Sequence, residues 1–245
     1  MTMYARPWLH IHEPSRNSAG WLTKESIKLA VSIFERPIVY HPLTGLYNIN
    51  KQVLGRVPAV AIVGESNVGK STLLNQLVFG RQPQHRFKLS STEALYSPVS
   101  DKPGRTRHVF RFDFGDRLRI CDLPGYGIAY APKEVTDSWN ELIDKFLEVA
   151  DLKRVIVLID AMKGIEDLDN VVIKMLEDRG KIVQVVLTKI DKVSQRRLSD
   201  IMIQTVDILQ GHNKATMFPY LNAISGLNNL GITELKCSLA SAANR

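Results

Sequence analysis

The stretch "GESNVGKS", residues 64–71, sets two glycines, a lysine and a serine at the spacing that holds a phosphate chain. In such a loop, backbone N–H groups and the N-terminus of the following helix cradle the phosphates. Gly64, Asn67, Val68 and Gly69 form the loop here, and Lys70, Ser71 and Thr72 open the helix. Lys70 is expected to reach the β- and γ-phosphates, and the Ser71 hydroxyl to ligate Mg²⁺. The loop alone does not choose the base. That choice falls to "TKID", residues 188–191, directly after an apolar run. The Asp191 carboxylate accepts from both N1–H and the 2-amino group of guanine, a donor pair that adenine lacks, and the Lys189 stem can lie over the purine. The expected ligands are GTP and GDP.

Three shorter matches lie in the same order along the chain. "DLPG", 122–125, places Asp122 to hold Mg²⁺ and the Gly125 N–H to touch the γ-phosphate. "PGRTR" offers Thr106, whose hydroxyl and carbonyl complete the metal and γ-phosphate contacts when its loop orders. "AISG" brings Ser225 and Gly226, whose backbone can meet the guanine O6. Each is weak alone; their weight comes from order and from their places at strand ends.

These residues need a scaffold that sets them side by side, and the chain supplies one from about residue 58. Short β-rich apolar runs alternate with amphipathic helix-length stretches, the pattern of βαβ units around a mostly parallel sheet of about six strands. "AVAIVG", "VIVLID" and "IVQVVLT" read as buried strands, and "HVFRFDFGDRLRICD" as two strands turned at Gly115-Asp116, the first with Phe110, Phe112 and Phe114 on one buried face. A last strand is expected near "MFPYLNAI". Helices are expected over "KSTLLNQLVFG", closed by Gly80, over "EVTDSWNELIDKFLEVA", around 166–179, through 194–210 and from Ile232. Residues 1–57 lack this rhythm and read as a basic extension holding one amphipathic helix, with Ile27, Ala30, Val31 and Phe34 on one face, Thr23 as N-cap and Pro37 as stop. The domain itself runs 58–245.

No run approaches the ~20 apolar residues of a spanning helix, so no membrane is expected. Cys121 and Cys237 make neither a disulfide framework nor a metal spacing, and Cys121 reads as buried. His10 and His12, without a nearby third ligand, read as surface residues. The net charge of +7 is uneven: residues 1–57 hold seven Lys/Arg against three acids, and 81–111 hold seven against two. Two such patches suit a polyanion, nucleic acid in particular, against the plain alternative of solvated surface charge.

The sequence resembles a P-loop G domain of the TrmE–Era group, most closely the EngB type. "GESNVGKSTLLNQL", "KPGRTR", "DLPGYGIA", "TKIDKV" and "SGLNNLGITEL" carry the likeness over about residues 58–240, and Trp139 also fits. Era would add an RNA-binding domain, Der a second G domain and TrmE a large leading domain, for which the length leaves no room. The resemblance implies a GTP-hydrolysing assembly factor of the large ribosomal subunit, acting on its rRNA and ribosomal proteins and monomeric when free. Thr188 stands where many GTPases have Asn, a departure that would loosen the tie to the phosphate loop, although Thr or Ala at this position is familiar in EngB-type sequences. The 57-residue lead and the lengthened 81–101 segment favour an organellar homologue, placed in the mitochondrial matrix, over one of the bacterial cytoplasm. The opening twelve residues contain Arg6 and no acid, although Glu13 follows early.

Many GTPases place a water-orienting glutamine after "DLPG"; here the residue is Tyr126. It reads either as a switch residue or as a tyrosine packed on the sheet; as it presents no amide to water, slow intrinsic turnover is expected unless another group organises the transition state. Asn67 resembles that of potassium-activated members of the group, where K⁺ at the β–γ bridge would aid cleavage, and it also suits a purely loop-shaping role. The catalytic residues expected are Lys70, Thr106 and Asn67. Lys102, Arg105 and Arg107 share a segment with Thr106, which would couple nucleotide state to RNA affinity. The competing function is a placeholder that binds nucleotide but barely hydrolyses it.

Overall fold

The computed structural model describes residues 6–16, 18–35, 38–43, 57–79, 109–127, 141–148 and 152–243. Strand β3 (Ala59–Gly64) lies at the centre of the sheet with all six residues buried, as a run of Ala, Val and Ile requires when both faces are covered. Parallel neighbours flank it. On one side are β6 (Leu152–Asp160), β7 (Val183–Thr188) and β8 (Tyr220–Ala223); on the other is β5 (Leu118–Asp122), followed antiparallel by β4 (Val109–Phe114). Gly115 turns β4 into β5 at φ +58°, a conformation that suits glycine.

The domain contributes six strands, as expected, and two further strands come from the first 57 residues, so among the described residues the sheet has eight. Strand β1 (Trp8–His10) pairs antiparallel with β8, and β2 (Ile38–Leu43) pairs antiparallel with β4, closing the two edges in the order β1-β8-β7-β6-β3-β5-β4-β2. Four of the seven pairings are parallel, and the fold is the expected P-loop α/β type.

Helices cover both faces. Against one pack the helical residues 141–148, α3 (Asp167–Asp178) and α4 (Gln195–Leu209), through side chains such as Phe146, Ile173 and Met202. Against the other pack α1 (Lys24–Phe34), α2 (Lys70–Phe79) and α5 (Ile232–Ser241), through Ile33, Leu74 and Leu239 among others. Gly80 and residues 134–140 and 149–150 of the expected helices lie outside the described residues. Among the described residues, no helix is long and apolar enough to cross a membrane.

Three sequence expectations are corrected. Helix α1 forms with Thr23 as its cap, its Oγ1 accepting from Ser26 N at 3.1 Å while Ser26 Oγ accepts from Thr23 N. Its buried stripe, however, is Ala30, Ile33 and Phe34, because these meet α5 and the sheet; Ile27 and Val31 stay 39% and 47% exposed along a groove of about 430 Å³. Strand β4 buries both faces instead of one. Arg111 pairs with Asp113 at 3.0 Å and Arg119 joins the same carboxylate at 3.1 Å, so charged groups that should face water are paired inside instead. His10 is buried, not on the surface: β1 carries it onto β8, where its ring meets Tyr220 edge-on at 4.9 Å. Cys121 is buried as expected, and Cys237 with it; both are free thiols.

Candidate functional site

The phosphate loop leaves the C-terminal end of β3. A Cβ on Gly64 would stand 2.9 Å from the Leu158 carbonyl oxygen and 2.8 Å from Val68 Cγ1, so the close packing of β3 on β6 demands glycine there. Val68 N donates to Glu65 O at 3.2 Å, and Asn67 takes φ +64° and Gly69 φ +106° to bring the chain round into α2. Asn tolerates the left-handed region better than most residues, so Asn67 suits the turn of this loop. Lys70, Ser71 and Thr72 form the first turn of α2, which contains no acid to oppose an anion at the helix N-terminus.

The "DLPG" segment is stitched onto this loop. Asp122 ends β5, buried and level with Ile62 of β3, and Leu123 N donates to Ile62 O at 3.0 Å. Tyr126 N then donates to Gly64 O at 3.2 Å, and Ser66 N to Tyr126 O at 3.0 Å. Between them Gly125 sits so close that a Cβ would lie 3.3 Å from both Lys70 Nζ and Ser66 N. Any side chain there would crowd the lysine and the loop backbone, the Gly64 carbonyl oxygen being only 3.1 Å from that Cβ. The Tyr126 side chain goes the other way, into the core, where its hydroxyl donates to Asp169 Oδ1 at 2.7 Å.

The residues expected to recognise the base form a second wall. Thr188 ends β7 and its hydroxyl donates to Val68 O at 2.6 Å, with Ile159 O at 3.2 Å as the alternative acceptor. The tie that a missing Asn was expected to loosen is therefore made by a threonine. Lys189 follows at φ +55°, and Ile190 N donates to Ile224 O at 3.2 Å, which joins the "TKID" turn to "AISG". Ser225 is fixed by paired backbone bonds with Leu230, and its Oγ accepts from Asn228 N at 3.0 Å. A cavity of about 320 Å³ opens between these elements, lined by Gly69, Thr72, Lys189, Asp191, Gly226 and Leu227 among others. Phosphate loop and carboxylate-bearing slot are continuous, as a nucleotide triphosphate needs.

The expected residues Gly64, Asn67, Val68, Gly69, Lys70, Ser71, Thr72, Asp122, Gly125, Thr188, Lys189, Asp191, Ser225 and Gly226 all lie at this end of the sheet. Thr106 lies outside the described residues, as do Lys102, Arg105, Arg107 and Trp139.

Residues 59–189 match the model of the 50S ribosome-binding GTPase family. A curated relative in Caulobacter vibrioides, described as a probable GTP-binding protein EngB, is 32% identical over 222 residues, covering 90% of each chain. The chain belongs to the EngB family. It is a P-loop GTPase. Among solved structures, Era of Aquifex aeolicus bound to GDP·AlF4⁻ is 28% identical with a TM-score of 0.57, matching 78% of this chain and 58% of that one. Era in complex with MgGDPNP and a segment of 16S ribosomal RNA has the same identity and score, over 76% of this chain and 57% of that one. This chain thus spans somewhat over half the length of Era.

Other polar residues at the site escaped the sequence reading. In this EngB-family chain Asp160 pairs with Lys189 at 2.7 Å, Asp169 holds Tyr126, and Lys163 bridges Glu65 of the phosphate loop at 2.7 Å to Glu166 at 3.0 Å. Lys163 is held charged well above the usual lysine range by its bond to Glu65 and then by that to Glu166. The available signal was positional: Asp160 is the acid that ends a buried parallel strand beside the one carrying Thr188.

Proposed function

We propose that this GTPase serves assembly of the large ribosomal subunit, binding a precursor particle through rRNA and ribosomal proteins and leaving after hydrolysis. The observation that carries the nucleotide half is the Thr188-to-Val68 bond, which makes one continuous site of the phosphate loop and the base slot. The ribosomal half is supported by the family description, by Era's RNA-bound structure and by the two basic patches of the sequence. In solution the free protein is a monomer. Its compartment in our reading is the mitochondrial matrix, with the bacterial cytoplasm as the alternative; microscopy of the tagged chain in a eukaryotic cell decides between them.

Asp122 and Ser71 offer a carboxylate and a hydroxyl, the hard oxygen donors that suit Mg²⁺, with Thr106 as the third residue. These residues would hold Mg²⁺, which would supply charge neutralisation for the phosphates. Lys70 adds its ammonium on the same side, and the Gly125 N–H meets the γ-phosphate. Asn67 would hold K⁺ through its carboxamide oxygen. Asn67→Gly tests this cleanly, because glycine keeps φ +64° while the carboxamide is lost. Hydrolysis faster in KCl than in NaCl, with the difference abolished by Asn67→Gly, is expected; equal rates in both salts sink the potassium role.

The buried Tyr126 favours a second reading, a nucleotide-bound placeholder on RNA or protein, because no amide follows "DLPG" to orient water. Single-turnover hydrolysis with and without ribosomal particles, beside co-sedimentation of GTP- and GDP-loaded protein with large subunits, separates the two. Tighter binding of the GTP form, with Lys102, Arg105 and Arg107 contributing, and turnover stimulated by particles are expected of the assembly factor. Equal sedimentation of both forms and no stimulation overturn it in favour of the placeholder.

A further inference from the structure

We infer that Asp160 is a positioning residue for guanine recognition: its carboxylate anchors the Lys189 ammonium so that the lysine stem stands as a preformed wall of the base slot. The inference rests on the GTP-binding reading and deepens it.

The register of the sheet sets the geometry. Asp160 ends β6 directly beside Thr188, which ends β7, and Ala161 N donates to Thr188 O at 3.0 Å. One residue on, Lys189 takes the left-handed conformation at φ +55°, which costs a side-chain-bearing residue energy unless neighbours compensate. Its side chain lies alongside the phosphate loop, with Cε 4.0 Å from where a Cβ on Gly69 would be, and Nζ meets Asp160 Oδ2 at 2.7 Å. Asp160 Oδ1 accepts from Met162 N at 2.9 Å, so the carboxylate is held at both oxygens. The acid's side chain is 8% exposed and the lysine's 31%, so the pair is well shielded from water on the acid's side and keeps much of its strength.

Lysine has four rotatable bonds, and an unanchored stem would have to be ordered when the base enters. The Asp160 anchor does this beforehand, which lowers the cost of binding for any guanine nucleotide irrespective of its phosphates. Asp191, which reads the guanine edge, needs that stem in place to have a flat surface above the ring.

The test uses the full chain and labelled GDP and GTP. Asp160→Asn keeps an oxygen for Met162 N but turns an amide towards the ammonium, and Lys189→Met keeps an apolar stem without its anchor. Both are expected to raise Kd for GDP and GTP alike, by about tenfold, with the loss seen in KM and in nucleotide dissociation rather than in kcat. The double variant is expected to lose no more than either single one, because Asp160 acts only through Lys189. Unchanged Kd in either single variant, or losses that multiply in the double, would overturn the inference. A wild-type chain that takes up no guanine nucleotide would overturn the underlying reading and this inference with it.

Discussion

The hydroxyl of Tyr126 donates a 2.7 Å hydrogen bond to Oδ1 of Asp169, and both residues are buried. Asp169 Oδ2 accepts from Glu166 N at 2.8 Å in the capping box of α3, so the residue after "DLPG" is anchored to the start of a helix. Burial first, and then the adjoining Asp169 carboxylate, push the Tyr126 phenol well above its ordinary range, so it remains a donor at any pH the protein meets. Burial also raises the Asp169 carboxyl.

Tyr126→Phe removes the donor and leaves a buried carboxylate oxygen without it. A loss of roughly 1–3 kcal/mol in denaturant unfolding is expected. Turnover at saturating GTP should be nearly unchanged from the wild type, because the hydroxyl lies in the core and bonds Asp169. A tenfold or greater drop in turnover would place that hydroxyl at the reacting phosphate, contrary to this geometry.

Thr188→Val removes the bond to Val68 O while keeping the shape of the side chain. The Val68 carbonyl loses its donor, and the phosphate loop its link to the base slot. GDP and GTP should dissociate faster by about five- to tenfold, corresponding to ~1 kcal/mol for one buried hydrogen bond. Thr188→Asn, which keeps an N–H donor, should recover most of the loss. Stopped-flow release of a fluorescent GDP analogue checks both, and an unchanged rate for Thr188→Val would dismiss the link.

What the sequence revealed and what it hid follow from the range of each interaction. The phosphate loop, "DLPG" and "TKID" are local spacings, and β3, β6 and β7 carry Val/Ile-rich runs, so both can be read linearly. Strand β1 has only three residues and exists because the edge of β8 is there to receive it; β2 carries Pro42, which removes a donor and is tolerated because the strand lies at the edge. Asp160 and Asp169 are ordinary acids in the sequence, and their partners lie 29 and 43 residues away. Only the register of the sheet brings them to the site.

The same edge pairing makes part of the first 57 residues integral to the core. Phe34 of α1 meets Phe114 of β4 edge-on at 5.0 Å and is buried. Phe34→Ala should therefore cost about 3–5 kcal/mol, the usual penalty for emptying an aromatic site. Chemical denaturation measures it. A change near zero would mean that the helix merely leans on a domain complete without it.

His10 should make the β1 edge acid-sensitive. Its Nδ1 accepts from His12 N at 3.2 Å and from Glu13 N at 2.9 Å, so in the neutral ring the proton sits on Nε2. A second proton would have to go on Nδ1, facing two N–H donors. Burial lowers the folded pKa below the ordinary 6.5; Glu13 opposes this, while Arg16, His12 and Lys214 reinforce it. With the folded value below the unfolded one, the unfolded chain takes up the proton first. The stabilisation is thus complete above the unfolded value and is lost as pH falls through the folded one. Denaturant midpoints measured from about pH 7.5 down to about pH 5 should fall more steeply for the wild type than for His10→Gln, which cannot titrate. Amide exchange at Leu9 and Ile11 should speed up over the same range, since Leu9 precedes His10 in the edge strand and Ile11 follows it, its N–H donating to Pro219 O. Parallel pH profiles for the two proteins would show that the proton never reaches Nδ1 and that the edge is held by packing on Tyr220 alone.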